Sequence, residues 1–220
     1  MKKLLFKELR LCLTPQVIIF LCMSCLIVIP SWPSLTSFVY TFMAFIIVFP
    51  VAIANHDIEY TALLPIRKID IVKGKVLLAS FIEIVSILIS IPFALTKVLL
   101  INPLMGPEGV YAELGINLVL YGIVLFLCGL FNLLFIPWYY KNPYKTAKSQ
   151  IFPTLIIVFL TMVVMFLFII FPQASAFVNS YTGIALIVQF ASLGLGAVLF
   201  VLFNFLAFRL GAKKINSIDL

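Results

Sequence analysis

Six long uninterrupted apolar runs, at 13–31, 35–54, 76–101, 114–137, 153–172 and 183–208, take up most of this 220-residue chain. A helix needs about 20 apolar residues to cross a bilayer, and each run is near or above that length. One such run could be the buried helix of a soluble protein, but six in succession cannot be covered by a chain of this size. With 64% of the residues apolar and 10% charged, there is too little polar surface to enclose them. A closed barrel would also satisfy the backbone in lipid, but barrels are built from short alternating strands, and these runs do not alternate. The expected fold class is an all-α polytopic membrane protein with six transmembrane helices. It forms one transmembrane domain over 1–220, with connections too short for a separate soluble domain.

Charge then orients the runs. The amino end carries Lys2, Lys3, Lys7 and Arg10, and the second connection Arg67, Lys68, Lys73 and Lys75. The fourth connection carries Lys141, Lys145 and Lys148, and the carboxyl end Arg209, Lys213 and Lys214. Only Lys97 among the 15 Lys and Arg falls elsewhere. Basic connections stay on the cytoplasmic side, so both termini are expected there, with 209–220 as a cytoplasmic tail. The net charge of +7 is thereby read as topology and not as nucleic-acid binding. The opening MKKLLFKELR resembles the start of a signal peptide, but no small-x-small cleavage site follows, so the first span is read as uncleaved. Lys3, Lys7 and Arg10 share a narrow arc of a helical wheel with Leu5 and Leu9 beside it. Residues 1–12 therefore suit either a helix in the headgroup layer or a simple orientation signal. The uncharged stretch 172–182 suits either a surface loop or a re-entrant segment covered by protein.

Within the runs, ionisable and polar residues are the candidates for function. Glu83 lies about 12 Å along a helix from Lys75 and is read either as facing a cavity or as anchoring neighbouring spans. Lys97, near the outer end, is expected to snorkel. The two are about 21 Å apart along the axis and cannot pair. Gly115, Gly122 and Gly129 recur every seven residues, and Ser192 with Gly196 repeats the device, which suits close helix packing. Asn132 and Gln189 are candidates for interhelical hydrogen bonds or for lining a pathway. Pro50, Pro92 and Pro153 bend or start spans. Cys22 and Cys25 form a C-x-x-C in an apolar setting with no further ligands and are read as structural, and His56, at a water boundary, is read as a solvated histidine and not a ligand. With one acid at membrane depth and no nucleophile–base pair, no enzyme, catalytic residue, metal or cofactor is expected in this chain.

The connection at 55–75 is unlike the others. Two adjacent spans can be joined by a handful of residues, yet this segment is several times longer and dense in both signs of charge. Asp57 and Glu59 open it, Leu63 and Leu64 precede Pro65, and Ile66, Ile69 and Val72 follow at three-residue steps. That spacing predicts a short amphipathic helix from Pro65, with Arg67, Lys68, Asp70 and Lys73 on its polar face. Such a helix needs a lipid surface or a protein partner, and interleaved acids favour the protein.

The string Leu64-Pro65-Ile66 followed by Asp70-Ile71-Val72-Lys73-Gly74-Lys75 resembles the first cytoplasmic loop of the small ABC-2-type transporter permeases. It has that loop's register and its place before the third span. It departs at Arg67, where the family has Ser or Thr, and at Lys68, where it has Arg. The resemblance implies that Asp57, Glu59, Leu64, Pro65, Ile66, Arg67, Lys68, Asp70 and Lys73 form a coupling helix that docks on a separately encoded nucleotide-binding subunit. It implies a homodimer or a heterodimer with a second permease, in contact with membrane lipid, in a bacterial cell membrane. ATP and Mg would belong to the ATPase subunit, because Lys73-Gly74-Lys75 lacks the rest of a phosphate loop. Related small permeases export amphipathic peptides such as bacteriocins and phenol-soluble modulins. Two other readings stand beside this one: a proton-coupled secondary transporter using Glu83, and a non-transporting immunity or assembly protein.

Overall fold

Pro15 ends one helix and starts the next. A residue before proline is pushed out of the α region, and Thr14 is extended, at φ −79° and ψ 160°. Helix α1 (Lys2–Cys12) stops there. Helix α2 (Pro15–Cys22) leaves at 93°, with Pro15 in the first turn, where its missing N–H costs nothing. The structure is a computed structural model that describes residues 2–30, 32–55, 67–105, 114–141 and 146–215. Among the described residues every element is helical and no strand occurs.

The first apolar run is shorter as a helix than its 13–31 extent implies. At Met23, α2 tightens into a 3-10 helix that ends at Val28, and Ser24 Oγ donates to Leu21 O at 2.7 Å. Pro15–Val28 thus covers about 24 Å, against a hydrocarbon core of about 30 Å. Five helical stretches among the described residues are long and apolar enough to cross a membrane: Ser34–Ala54, Lys68–Leu104, Leu118–Lys141, Ser149–Ile170 and Gly183–Ile215. A sixth is reached when the bent pair through Pro15 counts as one.

Helix α3 (Val39–Ala54) follows a 3-10 turn at Ser34–Phe38. Helix α4 (Lys68–Thr96) runs on through a π-helical turn at Lys97–Ile101. Helix α5 (Leu118–Lys141) is capped by Asn117, whose Oδ1 accepts from Leu120 N at 3.0 Å. Helix α6 (Thr146–Ile170), the two-turn α7 (Pro172–Asn179) and α8 (Gly183–Ile215) complete the chain. The stretch 172–182 is thus largely a short helix. Its end is held down by Gln189, whose Nε2 donates to Val178 O at 2.8 Å and Ser180 O at 3.1 Å.

Helices α5 and α8 form the most extensive pair and run in the same direction. Glycine permits their approach. A Cβ at Gly196 would lie 2.2 Å from Gly122 O, and one at Gly122 would lie 2.5 Å from Ser192 O. About two turns further along α5, a Cβ at Gly129 would lie 2.9 Å from the Cα of Phe200. The expected stripe therefore packs against the expected Ser192–Gly196 step. Gly115 is not on that helix face: it precedes the Asn117 cap, and its N–H donates to Asn179 Oδ1 at 3.0 Å. The other face of α5 meets α3 through aromatic rings, with Phe42 and Phe45 each 5.1 Å from Phe131 and Phe49 4.5 Å from Phe135. Helix α6 is joined to α3 where Gln150 Nε2 donates to Phe45 O at 3.1 Å, and it leaves Leu155, Phe159 and Phe166 exposed.

The glycine contact generates a prediction with an internal control. Gly196→Ala places a methyl against backbone that cannot yield, and is expected to destabilise the protein by about 2 kcal/mol. Gly194→Ala, two residues away with nothing within 4 Å, is expected to stay within about 0.5 kcal/mol of wild type. Thermal unfolding of the two variants in the same detergent checks the difference.

Candidate functional site

The structure places Arg67, Lys68, Asp70 and Lys73 on the opening turns of α4, which continues without a break to Thr96. Asp57, Glu59, Leu64, Pro65 and Ile66, expected from the resemblance to belong to a coupling helix, lie outside the described residues together with His56. Arg67 is extended, and the first turn closes where Asp70 N donates to Arg67 O at 2.8 Å. Arg67, Lys68 and Lys73 are exposed and Asp70 is half-buried. The apolar stripe differs from the three-residue spacing seen in the sequence. Ile69 is 40% exposed, whereas Ile71, Val72, Lys75 and Val76 are buried. Because this segment is the start of one long helix, its buried face is set by the phase of the span that follows.

What buries that face is the end of the bundle. Val72 lies against Gly211 of α8, and Tyr140 of α5 donates its hydroxyl to Ile71 O at 3.5 Å. Lys75 is fully buried and donates to Glu8 Oε2, Glu8 itself being buried on α1, while Lys7 Nζ lies 3.2 Å from Glu8 Oε1. Sequence reasoning missed this pair and assigned Lys75 to the basic surface. A signal was available: Glu8 falls beside Leu9 and one turn before Cys12, on the apolar side of α1, where a carboxylate demands a cationic partner. The pair ties α1 to the root of α4.

Two turns along α4 from Lys75 is a second buried polar group. Glu83 is fully buried and accepts at Oε2 from Asn132 Nδ2 of α5 at 2.7 Å. Asn132 Nδ2 also donates to Asn204 Oδ1 of α8 at 3.0 Å. Asn204 Oδ1 takes a further bond from Ser80 Oγ at 3.0 Å, and Asn204 Nδ2 donates to Phe200 O at 2.9 Å. The structure thus brings together Glu83 and Asn132, which the sequence had singled out separately, and adds Ser80 and Asn204. Asn204 escaped notice because it sits in a long apolar run with no neighbour in the sequence to mark it. Gln189, by contrast, belongs to the far end of α8 and holds backbone.

Lys97 also differs from expectation. Instead of snorkelling, its Nζ donates to Ile29 O at 3.0 Å and Trp32 O at 3.4 Å, tying the end of the first run to α4. Near it a cavity of about 480 Å³ is lined by Ala94, Leu95, Asn117, Tyr121, Gln189 and Phe190, and Leu95 and Phe190 at its rim are exposed. Among the described residues the four cysteines are free and no group of His, Cys, Asp and Glu could hold a metal ion.

No known protein family, no curated protein and no solved structure matches this chain.

The buried ion pair generates the second prediction. Lys75→Met leaves the buried Glu8 carboxylate with Lys7 alone and is expected to cost about 3 kcal/mol. Adding Glu8→Leu to the same chain should return most of it. Unfolding of the single and double variants, compared as a mutant cycle, checks the coupling.

Proposed function

We propose that this chain is the membrane-embedded permease subunit of an ATP-driven exporter in a bacterial cell membrane, with both termini cytoplasmic. The observation that carries this reading is the continuity of α4. Its exposed mixed-charge end, Arg67 to Lys73, is the start of the same helix that carries Glu83 in the core. A separate ATPase subunit gripping that end would move a rigid lever into the bundle, as in other helix shifts. The resemblance of 64–75 to the ABC-2 coupling loop supports the same assignment, with Asp57 and Glu59 adding acidic contacts.

In this reading the chain supplies the pathway and no chemistry. ATP and Mg act on the partner ATPase subunit, and two permease chains, identical or related, enclose the route. Closure of the ATPase subunits pushes the 57–75 segments and alternates access between the two sides. The cargo is an amphipathic molecule, a peptide first. An apolar cavity with a few amide and hydroxyl groups, near Asn117, Tyr121 and Gln189, suits such a cargo.

The test is copurification with an ABC-type ATPase subunit, expected to be encoded beside this reading frame. Reversal of the exposed Lys68 and the half-buried Asp70, Lys68→Glu with Asp70→Lys, is expected to lower recovered ATPase about tenfold or more, equivalent to about 1.4 kcal/mol. Membrane levels of the permease should stay equal. Unchanged recovery and unchanged export would rule out docking at this helix end.

A further inference from the structure

The polar cluster around Glu83 can be counted atom by atom. Both N–H groups of the Asn132 amide are used, one on Glu83 Oε2 and one on Asn204 Oδ1. Asn204 Oδ1 holds two donors, and one of the two N–H groups of Asn204 Nδ2 goes to Phe200 O. Two oxygens are left over, Glu83 Oε1 and Asn132 Oδ1, both buried and both without a hydrogen-bond partner. They belong to residues already bonded to each other. The cluster therefore has a surplus of acceptors, and one of them belongs to a carboxyl group.

Among the described residues no counter-charge balances it. From α5 the titratable neighbour is Cys128, which is buried. From α8 it is faced by Asn204, and on α4 the next polar groups are Ser80 and Ser86, the latter bonded to Thr41 of α3. Lys75 lies two turns away and is engaged by Glu8; Lys97 lies about 21 Å away and holds Ile29 and Trp32. Among the described residues Glu83 makes no ion pair. A buried carboxylate without a counter-charge is strongly disfavoured, and in an apolar bundle such groups are found where an ion is bound or passed.

We propose that the Glu83–Asn132 cluster is a binding site for one small monovalent cation, a proton or an alkali-metal ion. A proton on Glu83 Oε1 removes the charge and converts a surplus acceptor into a donor. An alkali ion instead takes Glu83 Oε1 and Asn132 Oδ1 as two of its oxygen ligands. Either one neutralises the junction of α4, α5 and α8, so its occupancy bears on how tightly those helices close. The inference does not rest on the ATPase assignment, because the site is complete within this chain.

The experiment uses the purified full chain in lipid nanodiscs, following thermal unfolding in sodium, lithium or N-methylglucamine salts at mildly acidic and mildly alkaline pH. A bound cation stabilises the folded state. For an alkali ion, the melting temperature is expected to rise by about 3 °C or more when N-methylglucamine is replaced. For a proton, it falls as the pH is raised, whatever the salt, and an infrared carbonyl band of a protonated carboxyl is present. In both cases Glu83→Gln, which keeps the acceptor for Asn132, abolishes the dependence. Asn132→Leu removes one of the two oxygens while keeping the carboxyl, and should weaken the dependence should Glu83→Gln not fold. A wild-type protein that responds to neither cation nor pH overturns the proposal whatever the variants do. So does a response that Glu83→Gln leaves unchanged.

Discussion

The close backbone approach of α5 and α8 at Gly122 and Gly196 is the contact on which the rest of the bundle depends. With no water to reward burial, helices in an apolar medium are held by packing, and packing is tightest where no Cβ intervenes. Because the two helices run in the same direction, the contact at Gly122 sets the register further along. It brings Gly129 to Phe200 and then Asn132 to Asn204. A one-residue slip would turn Asn132 away from both Asn204 and Glu83. The polar cluster is thus a consequence of where two glycines fall.

On that frame the chain arranges its polar side chains in three layers along α4. At its start, Arg67, Lys68 and Lys73 are exposed. Below them Lys75 is buried and bound by Glu8, which joins the bent α1 to the same helix. Deeper still, Glu83 joins α4 to α5 and α8. Ion pair and amide bonds are strong in such surroundings because the alternative is an unsatisfied buried group. A force applied at Lys68 therefore reaches three other helices through two polar links on one continuous rod.

Much of this was legible in the residues. The six apolar runs announced helices, and the seven-residue recurrence of Gly122 and Gly129 announced a packing face that the structure pairs with Ser192 and Gly196. Glu83 and Asn132 stood out as costly residues in apolar surroundings. Other features depended on tertiary phase, which local spacing does not carry. Ile66, Ile69 and Val72 looked like one apolar stripe, but the helix they enter is continuous with a span whose buried face passes through Ile71, Val72 and Lys75, leaving Ile69 outside. The partnership of Glu8 with Lys75 links positions 67 residues apart and needed the 93° turn at Pro15 to bring α1 across. Gly115 shared a seven-residue period with Gly122, but Asn117 started the helix after it.

The central claim is that α4 moves as a rigid lever between its charged end and the buried cluster. Spin labels at Ile69 and Leu88, both exposed on α4, should sit about 28 Å apart along the axis. Electron–electron distance measurements on this chain in nanodiscs together with the proposed ATPase subunit, with and without ATP, are expected to leave that spacing unchanged. The distance from Ile69 to a label at Phe159 on α6 should shift. A change within the Ile69–Leu88 pair, or no change in either distance on ATP binding, would contradict the account.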